Sequence, residues 1–287
     1  MKGKETSVDL AIIGGTGSDL SLENIEEVKV YTPFGNTSAQ ITVGDFKGKK
    51  VAYIPRHGID HSIPPHKINF RANIWAIKKL GAKFIISPSA VGSLQKSHKK
   101  GKFILVDQYI DRTKKRVETF YEGGQLCHIG QADPYCEYLN TLFFETGKEL
   151  KLDIQNGGVY ICIEGPRFST RAESKMFRQW GGDVVGMTNY PEVVLSAEKE
   201  ICYCCIAMIT DLDVWAGECP ECGIVEFAHK CENCGGIVNK LTVNVPEVLE
   251  TMVKNGKNLN KLLEFTIQKI DIERDCQCHH SLKNALL

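Results

Sequence analysis

Residues 159–192 read VYICIEGPRFSTRAESKMFRQWGGDVVGMTNYPE. An apolar, β-branched run, Val159–Ile163, meets a Gly165-Pro166 turn. An arginine, two hydroxyls (Ser169, Thr170) and a helix start follow, and a second apolar run, Val184-Val185, closes into Met187-Thr188. A strand ending in such a turn offers backbone N–H groups, hydroxyls and a guanidinium at one mouth, which suits an oxyanion. Strand, turn, helix and strand in this order predict an α/β architecture.

The same alternation extends along the chain. Strands are expected at 8–14, 38–44, 49–54, 83–88, 103–107, 158–163, 183–187 and 203–210, and helices at 69–80, 136–150, 171–180, 191–201 and 246–271. In the last helix Val248, Leu249, Met252, Val253, Leu259, Leu262 and Leu263 recur at helical spacing. The expected fold is a single α/β domain over residues 1–287, with a central mixed sheet flanked by helices. Only residues 216–240, AGECPECGIVEFAHKCENCGGIVNK, break the pattern, and they read as a small module inserted into that domain.

Composition narrows the function. Thirty-five basic and thirty-five acidic residues cancel, so no charge excess calls for nucleic acid. No apolar run approaches the roughly 18–20 residues of a membrane helix, and the N-terminal residues show no signal-peptide pattern. The expectation is a cytoplasmic protein with no membrane partner. Twelve cysteines are many for such a protein. Isolated ones read as small buried hydrophobes. Cys276-x-Cys278 is a candidate for a disulfide with Cys202 or Cys204, a pairing that intracellular proteins of thermophiles tolerate. Cys219-x-x-Cys222 and Cys231-x-x-Cys234 are thiolate knuckles, and two such pairs close a tetrahedron around zinc, with rubredoxin-type iron the alternative.

Several strand ends carry residues suited to a small anionic ligand. Gly14-Gly15-Thr16-Gly17 follows the first strand, as a tight turn or an anion loop; it is neither a Walker loop nor a dinucleotide fingerprint. Arg56-His57-Gly58 ends another strand, where a guanidinium fork is a bidentate phosphate ligand and a solvated surface pair is the plainer alternative. Ser87-Pro-Ser-Ala-Val-Gly-Ser-Leu94 closes a third. Thr210-Asp211-Leu-Asp213 follows a fourth, and its two carboxylates suit acid/base work, metal ligation or helix capping.

Together these segments resemble purine nucleoside phosphorylases, in particular the trimeric 5'-methylthioadenosine phosphorylases, over about residues 8–285. The block PRHGIDHSIPPHKINFRANIWA (55–76) is similar to the family's PRHG…N-x-x-A-N-I-W-A stretch. The resemblance implies a phosphate shell of Thr16, Arg56, His57, Ser89, Ala90, Ser169 and Thr188, with inorganic phosphate as co-substrate and no catalytic cofactor. Serine stands at position 89, where most such relatives have threonine. His61 and His66 are read as structural or interfacial.

The resemblance also implies that Asp211 and Asp213 read the purine. A carboxyl there can donate to N7 and accept from a 6-amino group. Relatives preferring guanosine and inosine usually carry Asn at 211 and Glu at 169, so Asp211 and Ser169 favour a 6-aminopurine. Val184-Val-Gly-Met187 reads like the inosine branch, which keeps methylthioinosine or another 6-oxopurine nucleoside as the alternative. Phe168 would cover base and ribose, Met187 would pack on the ribose, and Val245 and Val248 would line an apolar 5' pocket, where core packing is the other reading. His128 would reach into a neighbouring subunit's site within a homotrimer. The expected reaction is phosphorolysis of 5'-methylthioadenosine. A remote alternative is a zinc-ribbon binding protein without catalysis, although the insert sets Lys230 and Lys240 against Glu218, Glu221, Glu226 and Glu232.

Overall fold

The computed structural model describes residues 7–15 and 21–287. The first half runs β1 (Leu10–Gly14), β2 (Glu23–Val28), β3 (Ile41–Phe46), β4 (Lys49–Pro55), α1 (Phe70–Lys79), β5 (Phe84–Ser93), β6 (Phe103–Leu105) and β7 (Gln108–Arg112). It continues through α2 (Glu137–Glu149), β8 (Ile154–Asn156), β9 (Val159–Ile163), α3 (Arg171–Gln179), β10 (Val184–Gly186), α4 (Asn189–Ala197) and β11 (Cys202–Leu212). Last come β12 (Ala216–Cys219), β13 (Gly223–Glu226), β14 (Asn239–Lys240) and α5 (Val245–Ile267).

The main sheet is mixed, in the order β2-β3-β4-β1-β5-β10-β9-β7, with β11 also paired to β5 and then to β6 and β8. Alternation along β1 shows how the layers form. Leu10 and Ile12 face one side, with Phe84, Ile86 and the apolar stripes of α2 and α5 (Leu139, Phe143, Leu259, Leu262). Ala11 and Ile13 face the other, with Ile54, Ile85 and residues of α1 and α4 (Ile74, Ile77, Val193, Leu195). Successive side chains of a strand point to opposite faces, so a strand buried on both sides is apolar throughout.

Several elements differ from expectation, among them β7 and β8, which were not expected, and α4, which ends at Ala197 and not at 201. The strand expected at 83–88 continues through Pro88 to Ser93, pairing with β11 along its whole length. Proline is usually confined to sheet edges; here the Pro88 carbonyl accepts from Arg56 Nη1 at 3.3 Å. β2, ENIEEV, is almost wholly exposed, so its charged sequence carried no apolar signal for an edge strand. α5 ends at Ile267, four residues short of the expected end. The insert forms its own three-stranded antiparallel sheet, β13-β12-β14.

Candidate active site

The parallel strands β1, β4 and β5 end on one side of the sheet, and the crevice outside such strand ends is where open α/β sheets bind ligands. There the structure has a cavity of about 200 Å³. Arg56 and His57 reach it from the end of β4, Ser89 and Ala90 from β5, Thr188 and Met187 from beyond β10. Phe168 and Ser169 enter from the Gly-Pro turn, Asp211 and Asp213 from the end of β11, and Val248 from α5. Eleven of the residues singled out in the sequence thus line one cavity, although they span almost 200 positions. Thr16 lies outside the described residues, as does the side chain of Val245. His128 is exposed and lines no part of this cavity; its backbone N–H donates to the Ala285 carbonyl at 2.8 Å.

Arg56 is not a free fork. It is 1 % exposed, and its Nε donates to Glu192 Oε1 at 2.5 Å, its Nη2 to Glu192 Oε2 at 3.2 Å, Ser87 Oγ at 2.6 Å and the Ile13 carbonyl at 3.1 Å. Ser87 and the Tyr203 hydroxyl also donate to Glu192 Oε2, at 2.8 and 2.9 Å. A buried pair is tolerable only when its remaining donors and acceptors are met, as they are here. The guanidinium that lines the cavity is therefore already neutralised by Glu192.

His57 donates from Nδ1 to the Ile63 carbonyl at 2.9 Å, since a carbonyl oxygen can only accept. Burial and the Arg56 charge lower its pKa, so near neutrality Nε2 carries a lone pair and accepts. Ser89 Oγ lies 3.3 Å from Thr188 Oγ1 and 3.1 Å from the Tyr160 hydroxyl, a chain of orientable O–H groups beside the imidazole and the guanidinium edge.

At the other end, the pairing of β11 with β5 shifts by one residue between Ile209 and Asp211. Thr210 is the extra residue, and such a bulge re-aims the side chains after it. The Thr210 hydroxyl lies 2.7 Å from Asp211 Oδ1 and 3.2 Å from the Val91 carbonyl, and it has one proton to share between them. Burial, with the Asp213 charge adding to it, pushes the Asp211 carboxyl up to about 6, against the pull of Thr210 and Lys100. Burial also raises Asp213, opposed by the nearby Ser174 and Ser169 hydroxyls and the Val214 N–H. Asp213 Oδ2 and Ser169 Oγ nonetheless have no partner in good hydrogen-bond geometry. Orphaned buried polar atoms facing a cavity mark where a polar ligand would complete them. Gly92 sits under both acids: a Cβ there would lie 3.4 Å from Asp211 Oδ2, 3.5 Å from Asp213 Cβ and 3.3 Å from Val185.

Arg116, which sequence reasoning passed over, fixes the Gly-Pro turn. Its Nη2 donates to the Met187 and Glu164 carbonyls at 2.7 and 2.9 Å, and its Nη1 to the Tyr190 carbonyl. Glu164 in turn accepts from Arg116 Nε at 3.1 Å. Gly165 takes φ +69° with Met187 Sδ 2.6 Å from where a Cβ would stand, so only glycine fits. Thr170 then caps α3 in a reciprocal capping box with Glu173.

The insert begins three residues after Asp213, directly after Trp215. Trp215, 1 % exposed, donates from Nε1 to the Ser93 carbonyl at 2.8 Å and from its backbone to Ser174 Oγ at 3.1 Å. Arg171 of α3 donates to the Val214 and Leu241 carbonyls at 2.5 and 3.0 Å and covers the Phe227 ring. The Sγ atoms of Cys219, Cys222, Cys231 and Cys234 all lie within 4.8 Å of one another.

Comparison with known proteins places this geometry. The model of the phosphorylase superfamily matches residues 9–241. The chain is 46 % identical over 282 residues to the S-methyl-5'-thioadenosine phosphorylase of Thermofilum pendens, covering 98 % of this chain and 99 % of that one. To that of Pyrococcus furiosus it is 47 % identical, over 97 % and 99 %. Among solved structures it is similar to a methylthioadenosine phosphorylase from an antarctic soil metagenomic library, with a TM-score of 0.84 at 36 % identity over 98 % and 93 % of the two chains. It is also similar to methylthioadenosine phosphorylase from Schistosoma mansoni in complex with tubercidin, with a TM-score of 0.80 at 30 % identity over 96 % of each. With its cavity at the strand ends, its mixed sheet and this full-length likeness, the chain belongs to the phosphorylase superfamily.

Proposed function

We propose that the chain cleaves 5'-methylthioadenosine with inorganic phosphate, giving adenine and 5-methylthioribose 1-phosphate. The observation that carries this reading is the polarity of the cavity. Hydroxyls, an imidazole and a guanidinium edge gather at one end, and a carboxyl with a pKa of about 6 stands at the other. Full-length likeness to S-methyl-5'-thioadenosine phosphorylases supports it.

In this reading phosphate sits among Thr16, Arg56, His57, Ser89, Ala90 and Thr188, below the sugar's C1', while Ser169, expected in that shell, stands beside Asp213 at the purine end. As the C1'–N9 bond lengthens, its electron pair moves into the purine and the sugar becomes cation-like. Protonated Asp211 donates to N7 and neutralises the departing base, while Asp213 accepts from the 6-amino group. A phosphate oxygen then bonds to C1'; until that point its charge stabilises the sugar cation at close range. Phe168 and Met187 cover the nucleoside, and Val248 with Val245 offers the 5' end an apolar wall that suits a methylthio group.

The working form is a cytoplasmic homotrimer in which His128 serves the neighbouring subunit. Exposed apolar side chains such as Tyr31, Ile59 and Leu126 are what assembly would cover. Among the described residues no helix is long and apolar enough to cross a membrane. The Cys219, Cys222, Cys231 and Cys234 sulfurs would hold a structural zinc. The insert's own buried cluster amounts to Cys219, Cys231 and Val238, with Cys222, Val225 and Phe227 beside it, too small to fold unaided. The zinc would stiffen the strand that follows Asp213.

The test is phosphate-dependent cleavage of methylthioadenosine, methylthioinosine, adenosine and inosine in parallel, with the free base identified. Methylthioadenosine should lead. A lead for the inosine forms would overturn the aminopurine assignment, and no phosphate-dependent cleavage would overturn the enzyme reading.

A further inference from the structure

Four more sulfurs converge at a place that neither the cavity nor the insert uses. Cys136 is the N-cap residue of α2, Cys202 opens β11, and Cys276 and Cys278 lie on the segment after α5. Their Sγ atoms all fall within 4.8 Å of one another, with Cys136 and Cys276 3.7 Å apart. Cys204, two residues along β11, stands outside the group, because two strand residues span about 7 Å.

We infer that Cys136, Cys202, Cys276 and Cys278 form a second tetrathiolate zinc site. A zinc ion bound by four sulfurs at about 2.3 Å holds them about 3.8 Å apart. The observed spacing therefore needs only small adjustments. The group is compact enough that no single pairing stands out. Cys136 and Cys202 are buried against the core of Phe84, Leu139 and Ile270, which has few polar partners to give a thiol. Zinc would take the place of the four thiol protons, which leave to solvent, and the thiolates need donors around them. His279 supplies one. Its Nε2 lies 3.2 Å from the Lys83 carbonyl, which can only accept, so that nitrogen carries the proton and shares it between that carbonyl and Cys202 Sγ, 3.4 Å away.

The site would pin the segment after α5 to the starts of α2 and β11. Beyond the pin, that segment pairs with the 126–128 strip: Leu287 N donates to the Leu126 carbonyl at 3.0 Å, and Cys127 bridges Leu286. The ion would thereby anchor the residues that hold the His128 backbone.

The experiment is metal analysis of full-length protein purified in reducing buffer with zinc, alongside C276S/C278S and, separately, C219S/C222S. Wild type should carry about two zinc ions per chain and each double variant about one. Cobalt titration of the metal-free wild type should show tetrahedral thiolate absorption rising to two equivalents, a readout that needs no variant to fold. One zinc per chain in both wild type and C276S/C278S would overturn the inference. So would a wild-type mass lower by two hydrogens per bond at these cysteines, which would make the cluster a pair of disulfides.

Discussion

Replacing Asp211 by asparagine tests the buried acid through stability and catalysis at once. The carboxyl titrates near 3.8 when exposed and near 6 in the fold. The folded state therefore pays nothing for it below about pH 3.8, where the group is neutral in both states. The penalty grows as pH rises, because the unfolded chain ionises there first, and is complete above about pH 6. Raising the carboxyl from 3.8 to about 6 costs the fold about 3 kcal/mol at pH 7, and about 0.5 kcal/mol at pH 4. Asparagine has nearly the same shape and does not titrate. The stability of D211N relative to wild type should thus rise by about 2.5 kcal/mol between pH 4 and pH 7. Urea unfolding at both pH values, at one protein concentration, measures this. In the same protein, methylthioadenosine cleavage should fall by about 10²-fold or more, as expected when a positioned acid is lost. The wild-type kcat/KM should decline as pH climbs through about 6, with the proton leaving Asp211, and D211N should lack that limb. A stability difference that stays flat with pH would refute the buried-acid reasoning whatever happened to the rate.

Three further outcomes follow from other parts of the site. E192Q leaves the Arg56 guanidinium buried beside a neutral amide, and should cost about 3–5 kcal/mol in urea unfolding; a loss below about 1 kcal/mol would mean that Ser87 and the Ile13 carbonyl suffice for Arg56. V248T adds a hydroxyl at nearly constant volume to the cavity wall. It should shift the kcat/KM ratio of methylthioadenosine to adenosine toward adenosine by about 10-fold or more, and an unchanged ratio would assign Val248 to packing alone. Removing one ligand of the proposed insert zinc through C231S should expose Trp215, red-shift its fluorescence and raise KM for the nucleoside. A fluorescence shift with KM unchanged would separate the insert from the cavity wall.

Legibility followed chemistry that is local in the chain. The strand-end segments around Arg56, Ser89, Ser169, Thr188 and Asp211 each join an apolar run to a turn residue and a polar group, so ten of the residues read there meet in one cavity. Glu192 was not legible. It falls at the start of the helix expected at 191–201, and only the fold brings it to an arginine 136 positions away. Arg116 was hidden in the same way, because apart from Glu164 its main partners are backbone carbonyls, which leave no trace in side-chain identity. The bulge at Thr210 depends on the register between β11 and β5, a property of two strands together. Cys276 and Cys278 stand out as a pair and Cys202 as a neighbour, while Cys136, far earlier in the chain, completes the cluster only in three dimensions.

The imidazole of His57 gives the proposed phosphate shell a means of choosing among oxyanions by their protons. With Nδ1 committed to the Ile63 carbonyl, Nε2 welcomes an anion that brings a hydrogen of its own. Hydrogen phosphate does so near neutrality, and so does hydrogen arsenate; sulfate, of the same size and charge, brings none. Arsenate should therefore replace phosphate in supporting cleavage, whereas sulfate should compete poorly for the same pocket.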